Sequence, residues 1–487
     1  MTDGIDTRLH PAFTRLLPLP LHVQPRSGEL ALTARTCLAA TGDGIHDDLL
    51  THLVADLHPA TGTHPTITSH AAAGDIELRL DPAAVEHGSE GYALTVMPEG
   101  AQLVAATAAG LWNGSRTLLQ LFPHEPGNSA APAVHIVDHP RFEHRGAMLD
   151  VARHFFGPDH VMRFVELIAR FKINRLHLHL SDDQGWRLGI DGWPTLTGIG
   201  ASSSAGGDNG GHFTRDEYRE LVAHAARHSV TIVPELDMPG HTNAALASVP
   251  ALNLDGVCTP MYTGKGVGFS SLRLAAPATT RFIGDVIAQL AADTPGAWLH
   301  IGGDEAHSTD PGEYAEFIAL LQRTVKAHGK RMIGWEEIAT TPLAAGAIIQ
   351  HWLSPTTAAG APADARFVMS PAAHTYLDMK HTPDCPIGRR WAGFIDVDTA
   401  YEWDPATIID GVGDERILGV EAPLWTEKVR TFDEVEYLCF PRLACLAEVG
   451  WTAQAEREWT TFAPRLATHA DRLAAAGAHP YRSRLLG

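Results

Sequence analysis

The sequence predicts an α/β protein in which a (β/α)8 TIM barrel follows a small α+β N-terminal domain. Strand-like and helix-like segments alternate from residue 139 to the end, which is the pattern of βα units that build a parallel sheet. About eight strand candidates occur there, the number that closes such a barrel. We therefore expect residues 1–138 to form the small domain and residues 139–487 to form the barrel.

The N-terminal region alternates short strands with helices. Strands are predicted at 76–80, 92–97 and 102–106, and helices at 47–57 and 107–121. A polar segment that contains Pro140 predicts the junction with the barrel. The sequence of this region contains no cluster of carboxylates, histidines or cysteines that indicates chemistry.

The barrel strands are predicted at short runs of apolar and β-branched residues. In chain order these runs are 146–151, 175–180, 231–235, 298–302, 331–334, 347–351, 366–369 and 417–420. The intervening helices include 158–171, 215–227, 314–328 and 432–448. Pro158 and Asp216 lie near the starts of two of these helices, where their residue types are favoured.

Composition narrows the classes of partner and compartment. Asp and Glu number 57 against 37 Lys and Arg, and the net charge of -20 argues against nucleic acid or an anionic membrane as partner. Five cysteines without CxxC spacing indicate reduced thiols rather than disulfides or a zinc ribbon. The sequence has no apolar run of about 18 residues and no recognisable signal peptide, so we expect a cytoplasmic protein.

The segment WLHIGGDEAH at 298–307 is the most informative stretch. Its apolar strand runs through two glycines, which indicate close approach of another group to the backbone, and ends at Asp304 and Glu305. Two neighbouring carboxyls at the C-terminal end of a barrel strand can be driven to different protonation states, as acid catalysis requires. A solvated acidic turn or a helix N-cap would also explain the pair.

Polar and aromatic residues follow the other strands as well, and a closed barrel would bring them to one face. They are Asp150, Arg153, Asp182, Asp183, Asp237, His241, Trp335, Glu336, Trp352, Tyr376, Asp378, Trp425 and Glu427. Core packing explains any single tryptophan, but three at equivalent strand ends favour a binding pocket. Indole faces stack on sugar rings and carboxylates bind hydroxyls, so the pattern predicts a carbohydrate site.

Four motifs carry a resemblance to a known family. They are RGAMLDVARH at 145–154, LHLHLSDDQGWR at 176–187, PELDMPGH at 234–241 and GGDE at 302–305. Together they resemble glycoside hydrolase family 20, the β-N-acetylhexosaminidases, over nearly the whole chain. The resemblance implies an exo-acting, retaining enzyme that removes terminal β-linked GlcNAc or GalNAc from an oligosaccharide, with residues 139–487 as its catalytic barrel.

The resemblance also implies roles for three catalytic residues. In this family the 2-acetamido oxygen of the substrate attacks the anomeric carbon, so neither an enzyme nucleophile nor a metal or cofactor is expected. Glu305 resembles the general acid and base, Asp304 the group that binds the acetamido N–H, and Tyr376 the hydroxyl that binds the acetamido carbonyl. We expect Asp304 to be ionised and Glu305 to hold a proton near neutral pH.

Four tryptophans match the indole groups of the family. Trp335, Trp352 and Trp425 resemble the walls that hold the acetyl group and stack under the sugar ring. Trp391 is expected at the rim, against the leaving sugar.

The remaining matches are polar. Arg153, Asp378 and Glu427 resemble the groups that bind the hydroxyls at C3, C4 and C6 of the terminal sugar, which would make the enzyme exo-acting. Three further groups, Asp182, His241 and Asp237, are expected to lie behind the catalytic pair and hold it in place. Of these, Asp182 and His241 are expected to support Glu305.

Three other interpretations of the barrel residues stay open at this point. His177 and His179 alternate on one strand, an arrangement that binds metal in some barrel enzymes. Glu336 or Asp182 would be the covalent nucleophile of an ordinary retaining glycosidase. A non-catalytic sugar-binding protein would share the same scaffold. The glycine-rich segment 206–211 lacks the Lys-Ser/Thr of a phosphate loop and is interpreted as a barrel loop.

Overall fold

The computed structural model describes residues 12–42, 44–45, 47–123 and 129–487. A seven-stranded sheet with helices packed on it is followed by a closed barrel of eight parallel strands. The predicted fold class is confirmed.

The N-terminal sheet has the strand order β1-β7-β5-β6-β4-β2-β3. Its strands are β1 (His22–Ala31), β2 (Cys37–Thr41), β3 (Thr66–Thr68), β4 (Ile76–Leu80), β5 (Tyr92–Met97), β6 (Gly100–Ala105) and β7 (Ala130–Asp138). Helices α1 (Asp47–Thr61) and α2 (Ala108–Leu121) accompany it, and the Thr107 side chain caps α2. Alternate residues of β5 are buried, as a strand with one face against helices requires.

The barrel closes through parallel pairing of its last strand with its first. Its strands are β8 (His144–Asp150), β9 (Arg175–His179), β12 (Thr231–Glu235), β13 (Trp298–His300), β14 (Arg331–Trp335), β15 (Ile348–His351), β16 (Arg366–Met369) and β17 (Ile417–Leu424). The short hairpin β10 (Ser181–Asp182) and β11 (Gly185–Trp186) lies beyond the end of β9. Each predicted barrel strand is present, with ends that differ by a few residues.

Twelve helices accompany the barrel strands in the part of the chain that the structure describes. They are α3 (Pro158–Ala169), α4 (Thr195–Gly198), α5 (Arg215–Arg227), α6 (Asn243–Ser248), α7 (Thr279–Asp293), α8 (Pro311–Ala327), α9 (Pro355–Ala359), α10 (Ala372–Thr375), α11 (Val397–Tyr401), α12 (Phe432–Cys439), α13 (Arg442–Trp451) and α14 (Trp459–Ala475). The single helix predicted at 432–448 is wrong: Pro441 cannot donate a backbone hydrogen bond, and two helices meet there.

The two domains meet at a buried polar cluster around Asp138, the last residue of β7. Its carboxylate accepts hydrogen bonds from Lys172 Nζ (3.0 Å), Tyr92 Oη (2.6 Å) and Trp451 Nε1 (2.9 Å). Because Lys172 and Trp451 belong to the barrel domain, these bonds cross the junction. All five cysteines are free thiols, and no helix among the described residues is long and apolar enough to cross a bilayer.

Candidate active site

A cavity of about 270 Å³ opens at the C-terminal ends of the barrel strands. Nine residues that the sequence predicted line it: Arg153, Asp304, Glu305, Trp352, Tyr376, Asp378, Trp391, Trp425 and Glu427. A larger cavity of about 470 Å³ lies at the opposite ends of β9 and β12, against the N-terminal domain. Glu90 is the only carboxylate in the lining of that larger cavity, so the chemistry points to the smaller one.

The backbone after β13 is shaped to present the two carboxylates. Gly302 has φ of 68°, and a Cβ there would lie only 1.7 Å from Asp237 Oδ1. The Gly303 N–H donates to that same oxygen at 3.0 Å. Glu305 itself has φ of 45°, a conformation that costs energy in a residue with a side chain and that clusters at functional sites. The close approach that the two glycines predicted is therefore the approach of Asp237.

Asp304 shares a buried acidic pocket with Asp237. One oxygen of each carboxyl and a ring nitrogen of His241 lie within 4.8 Å of one another. Burial and the charge of Asp304 hold the pKa of Asp237 well above its ordinary range, and burial together with Glu305 raises the pKa of Asp304. Each of two carboxyls so placed disfavours the charge of the other, and Asp237, whose pKa is raised further, is the one that takes up a proton first.

Glu305 is more exposed and lies beside a cation. Its Oε2 is 3.4 Å from His241 Nε2, and about a quarter of its side chain is exposed (26%). Burial raises the pKa of Glu305, but the contact with His241 and the charges of His241 and Arg153 outweigh burial and leave the pKa below its ordinary value. This reverses the expected order of the two pKa values, in which Asp304 is ionised and Glu305 holds a proton near neutral pH. The reason is the imidazolium of His241, whose charge favours the ionised form.

His241 is held by Asp182, and both residues lie behind Glu305. His241 Nδ1 donates to Asp182 Oδ1 at 3.1 Å, and Asp182 Oδ2 is 2.6 Å from Arg153 Nη2. Despite its burial, His241 has a pKa well above its ordinary value because Asp182 and Asp304 stabilise its charge. Burial raises the pKa of Asp182, but Arg153 and His241 outweigh it and hold that pKa below its ordinary range.

Three polar groups of the cavity wall present buried atoms that have no partner among the described residues. These atoms are Arg153 Nε, Asp378 Oδ1 and Glu427 Oε2. Burial and the adjacent Glu427 hold the pKa of Asp378 well above its ordinary range, while Arg389 pairs with Glu427. Buried polar atoms without partners are costly, and hydroxyls of a ligand would satisfy all three.

Aromatic rings form the remaining walls. Tyr376 is stacked with Trp352 at a centroid distance of 6.1 Å and meets Trp391 edge-on at 5.6 Å. Trp391 is 46% exposed at the rim, where it was predicted. Trp425 lies against the guanidinium of Arg153 at 4.7 Å.

Trp335 is not among the lining residues. It is buried below the cavity, where its Nε1 donates to Glu235 at 2.9 Å and its ring packs against Trp425 at 5.8 Å. Its strand end turns the indole inward, so it supports the Trp425 wall rather than forming one.

Four lining residues were not predicted from the sequence: Lys265, Val267, Leu353 and Arg389. Lys265 and Val267 lie in a glycine-rich loop between α6 and α7, far in sequence from any strand end. Leu353 directly follows Trp352, so it would have been predicted if the residues considered after that strand had extended one position further. Arg389 has no signal of its own and is recognised only through its ion pair with Glu427.

The HxH pair of β9 is bonded on every ring nitrogen. His177 contacts Glu421 at 2.8 Å and Glu235 at 3.0 Å, and His179 contacts Glu235 and, at 2.9 Å, Asp182. Each imidazole thus lies between two carboxylates as a hydrogen-bond donor. This arrangement disfavours the metal interpretation, because a metal ligand needs a free lone pair on nitrogen.

The two candidates for a covalent nucleophile are also engaged elsewhere. Glu336 accepts hydrogen bonds from His351 Nδ1 (2.5 Å) and from the backbone N–H groups of Trp352 (3.1 Å), Leu353 (3.3 Å) and Ser354. Asp182 is buried and bound as described above. Neither residue lines the cavity, so neither is placed to attack a sugar.

Comparison with known proteins agrees with the geometry. The model of the "Glycosyl hydrolase family 20, catalytic domain" matches residues 142–314 and 312–454, and that of "Glycosyl hydrolase family 20, domain 2" matches residues 14–139. A β-N-acetylhexosaminidase of Cellulomonas fimi is 41% identical over 427 residues, which is 86% of either chain.

Solved structures are similar over almost the full length. The N-acetyl-β-hexosaminidase of Streptomyces plicatus in complex with Thio-NAglucal has 43% identity and a TM-score of 0.93, and the match covers 98% of this chain and 97% of that one. A mutant of the Streptomyces plicatus β-hexosaminidase in complex with the product GlcNAc matches equally well, with 98% of each chain covered. From the motifs, the barrel and these matches, we conclude that the chain is a glycoside hydrolase and belongs to family 20.

Proposed function

We propose that this enzyme removes a terminal β-linked N-acetylhexosamine from the non-reducing end of an oligosaccharide, with the substrate's own acetamido oxygen as the nucleophile. The observation that carries the proposal is the adjacent pair Asp304 and Glu305 facing Tyr376 across one small cavity. The other two lining carboxyls, Asp378 and Glu427, are grouped with Arg389. The N-acetylhexosaminidases of Streptomyces plicatus that bind GlcNAc and Thio-NAglucal support the substrate class.

In the first step Glu305 donates its proton to the glycosidic oxygen. The C1–O bond breaks as the acetamido oxygen bonds to C1, which leaves a cyclic oxazolinium ion and a neutral leaving alcohol. Asp304 accepts the acetamido N–H and stabilises the positive charge that develops there, while the Tyr376 hydroxyl donates to the acetamido oxygen and aligns it.

In the second step the Glu305 carboxylate takes a proton from water as the water oxygen bonds to C1. The oxazolinium ring opens and the acetamido group is restored. Because C1 is attacked twice from opposite faces, the product keeps the β configuration. Glu305 ends the cycle protonated, ready for the next substrate.

The charges around Asp304 and Glu305 suit this order of reaction steps. The pKa of Asp237 is raised further than that of Asp304, so Asp237 takes up a proton first and Asp304 can act as an anion toward the acetamido group. A sugar in the cavity would remove the exposed quarter of the Glu305 side chain from water, and desolvation raises the pKa of a carboxyl. The acid form of Glu305 is then reached in the substrate complex.

The unpartnered atoms of Arg153, Asp378 and Glu427 are proposed to bind hydroxyls of the terminal sugar. A cavity closed by these three buried groups leaves room for one sugar unit on the non-reducing side of the bond that is cleaved, which supports exo action. Trp391, exposed at the rim, would stack on the leaving sugar.

The test compares release from an aryl β-N-acetylglucosaminide with release from the matching aryl β-glucoside, with chelator present. We expect rapid turnover of the first and almost none of the second, because the glucoside lacks the internal nucleophile. The variant Glu305→Gln should lower turnover of a substrate with a sugar leaving group by roughly two to four orders of magnitude while sugar binding persists. Comparable turnover of both glycosides would refute the assisted mechanism.

A further inference from the structure

A buried network of acids and imidazoles extends from the catalytic pair down into the barrel. Below Asp182 it consists of four residues, which we call the core network: His179, Glu235, His177 and Glu421. Each is at most 1% exposed, and they come from the strands β9, β12 and β17. None of them lines the substrate cavity.

The contacts of the core network are continuous. Glu421 Oε1 is 2.8 Å from His177 Nδ1, and His177 Nε2 is 3.0 Å from Glu235 Oε2. The same Glu235 oxygen bonds His179 Nδ1, and His179 Nε2 is 2.9 Å from Asp182 Oδ2. Asp182 in turn bonds His241, whose other ring nitrogen lies 3.4 Å from Glu305.

Counting hydrogen-bond donors fixes the protons in this network. A neutral imidazole has one N–H and one lone pair, and an ionised carboxylate can only accept. His177 and His179 each bond carboxylates through both nitrogens, so both are imidazolium ions. The neighbouring carboxylates outweigh burial and raise the pKa of His177 to about 9 and that of His179 to about 10. Negative and positive charges thus alternate from Glu421 to His241.

Other groups border the network, and they do not interrupt this pattern. Near Glu421, Gln350 donates at 2.7 Å, and the pKa of His144 is lowered by burial. Near Glu235, Trp335 donates at 2.9 Å. His300 Nδ1 lies 3.0 Å from Glu235 Oε1 and 3.1 Å from the backbone nitrogen of Gly302, and burial lowers the pKa of His300, which favours its neutral form.

At the upper end of the network, charged groups surround His241 and Glu305. They are Arg153, 2.6 Å from Asp182; Asp183 and Asp304, 4.0 Å and 3.6 Å from His241; and His307, which acts on Glu305.

We propose that His177, His179, Glu235 and Glu421 are positioning residues for the reaction, which hold Asp182 and His241 in the orientation and charge that Glu305 requires. None of them lines the substrate cavity, and they reach Glu305 through Asp182 and His241. In a water-excluded core, charge is felt over several hydrogen bonds because little solvent screens it. This inference rests on the proposed role of Glu305.

The decisive variant is Glu421→Gln, at the end of the network remote from Glu305. Glutamine keeps the shape and an oxygen for the His177 N–H but removes one negative charge. Because Glu235 still accepts from the other ring nitrogen of His177, we expect that ring to stay protonated. The uncompensated positive charge then favours ionised Glu305, so its acid form is lost at lower pH. We expect the basic limb of the kcat profile to move down by about half a pH unit or more. Glu421→Asp keeps the negative charge, so its pH profile of kcat should match that of the wild-type enzyme.

The matched control is Glu448→Gln. Glu448 is equally buried and is paired with Arg465, but it belongs to α13 and has no contact with the core network. This variant should lose stability without a shift of the pH profile. Coincident profiles for Glu421→Gln and wild type would overturn the inference, as would equal shifts in both variants.

A measurement on the wild-type enzyme guards against misfolding of the variant. With ¹⁵N-labelled histidine, the ring nitrogens of His177 and His179 should report two protonated positions from pH 6 to pH 8. A neutral ring at either residue would overturn the inference.

If Glu305→Gln keeps full turnover, the proposed function fails first. If that variant is inactive and Glu421→Gln has an unshifted profile, only the present inference fails.

Discussion

As the proposed general acid, Glu305 is the residue whose environment should most directly set the pH dependence of the enzyme. In the free enzyme His241 holds its pKa below the ordinary value, so the acid form disappears as the pH rises through a low range. The profile of kcat/KM reports the free enzyme and that of kcat the substrate complex. We therefore predict that the basic limb of kcat/KM lies at lower pH than the basic limb of kcat.

The variant His241→Gln tests the cause. Without the imidazolium, the pKa of free Glu305 rises, and the basic limb of kcat/KM should move to higher pH. Steady-state rates on an aryl N-acetylglucosaminide between pH 3 and pH 8 supply both profiles. Coincident limbs in the wild-type enzyme, or an unmoved limb in the variant, would contradict the assignment.

Tyr376 offers a second test at the same scale. Tyr376→Phe keeps the ring that packs on Trp352 and Trp391 and removes only the hydroxyl. We predict a loss of about 10²-fold in kcat with little change in KM or stability, since in the proposed mechanism the hydroxyl acts mainly as charge develops on the acetamido group. Tyr401→Phe, a buried tyrosine stacked on Phe462 away from the cavity, is the control and should keep its rate. Equal rates for the two variants would remove Tyr376 from the mechanism.

The sequence located Asp304, Glu305 and Tyr376 because each follows a barrel strand or matches a family motif. It could not locate Lys265, since a loop between helices has no periodicity that fixes its place over the barrel. Nor could it order the pKa values of the catalytic pair. That order depends on a distance of 3.4 Å between His241 and Glu305, which no spacing along the chain reveals.

At the scale of elements, the barrel was the easier part to predict. Its strands are short apolar runs buried on both faces, and all eight appear near the expected positions. The N-terminal sheet was predicted only in part. Strand β1 is polar and largely exposed, and it exists through pairing with β7 rather than through a pattern of its own. The predicted domain boundary at residue 138 coincides with the end of β7 and stays a prediction.

The loop after β15 depends on one buried carboxylate. Glu336 accepts from the backbone N–H groups of Trp352, Leu353 and Ser354 and from His351, and so fixes the segment that carries the Trp352 wall. Glu336→Gln replaces one accepting oxygen by an NH₂ group that faces those donors. We predict a loss of about 1–3 kcal/mol in the free energy of unfolding and a raised KM, because the indole wall is displaced.

Urea unfolding and initial rates check this prediction. Gln322→Ala is a suitable control, because the Gln322 side chain bonds only backbone atoms on an exposed turn and should leave KM unchanged. A Glu336→Gln enzyme with wild-type KM and stability would show that the loop holds its shape without the carboxylate.

At the scale of the whole molecule, the domain junction depends on a charge that is fully removed from water. Lys172 is completely buried, 3.0 Å from Asp138 and 4.1 Å above the Trp451 ring. Lys172→Met would leave Asp138 as a buried carboxylate without a cation. Removal of one partner of a buried pair is strongly destabilising, so we predict a loss of about 3–5 kcal/mol in the free energy of unfolding.

The double variant Asp138→Asn with Lys172→Met separates the pair from the packing around it. It removes both charges, so it should be less destabilised than Lys172→Met alone, and the two substitutions should not be additive. Arg281→Met breaks an exposed pair with Asp285 and should cost at most about 1 kcal/mol. Denaturant unfolding followed by tryptophan fluorescence measures all three variants. If the double variant were less stable than Lys172→Met, the cost would lie in lost packing and hydrogen bonds of Asp138, and the junction would not depend on its buried charge.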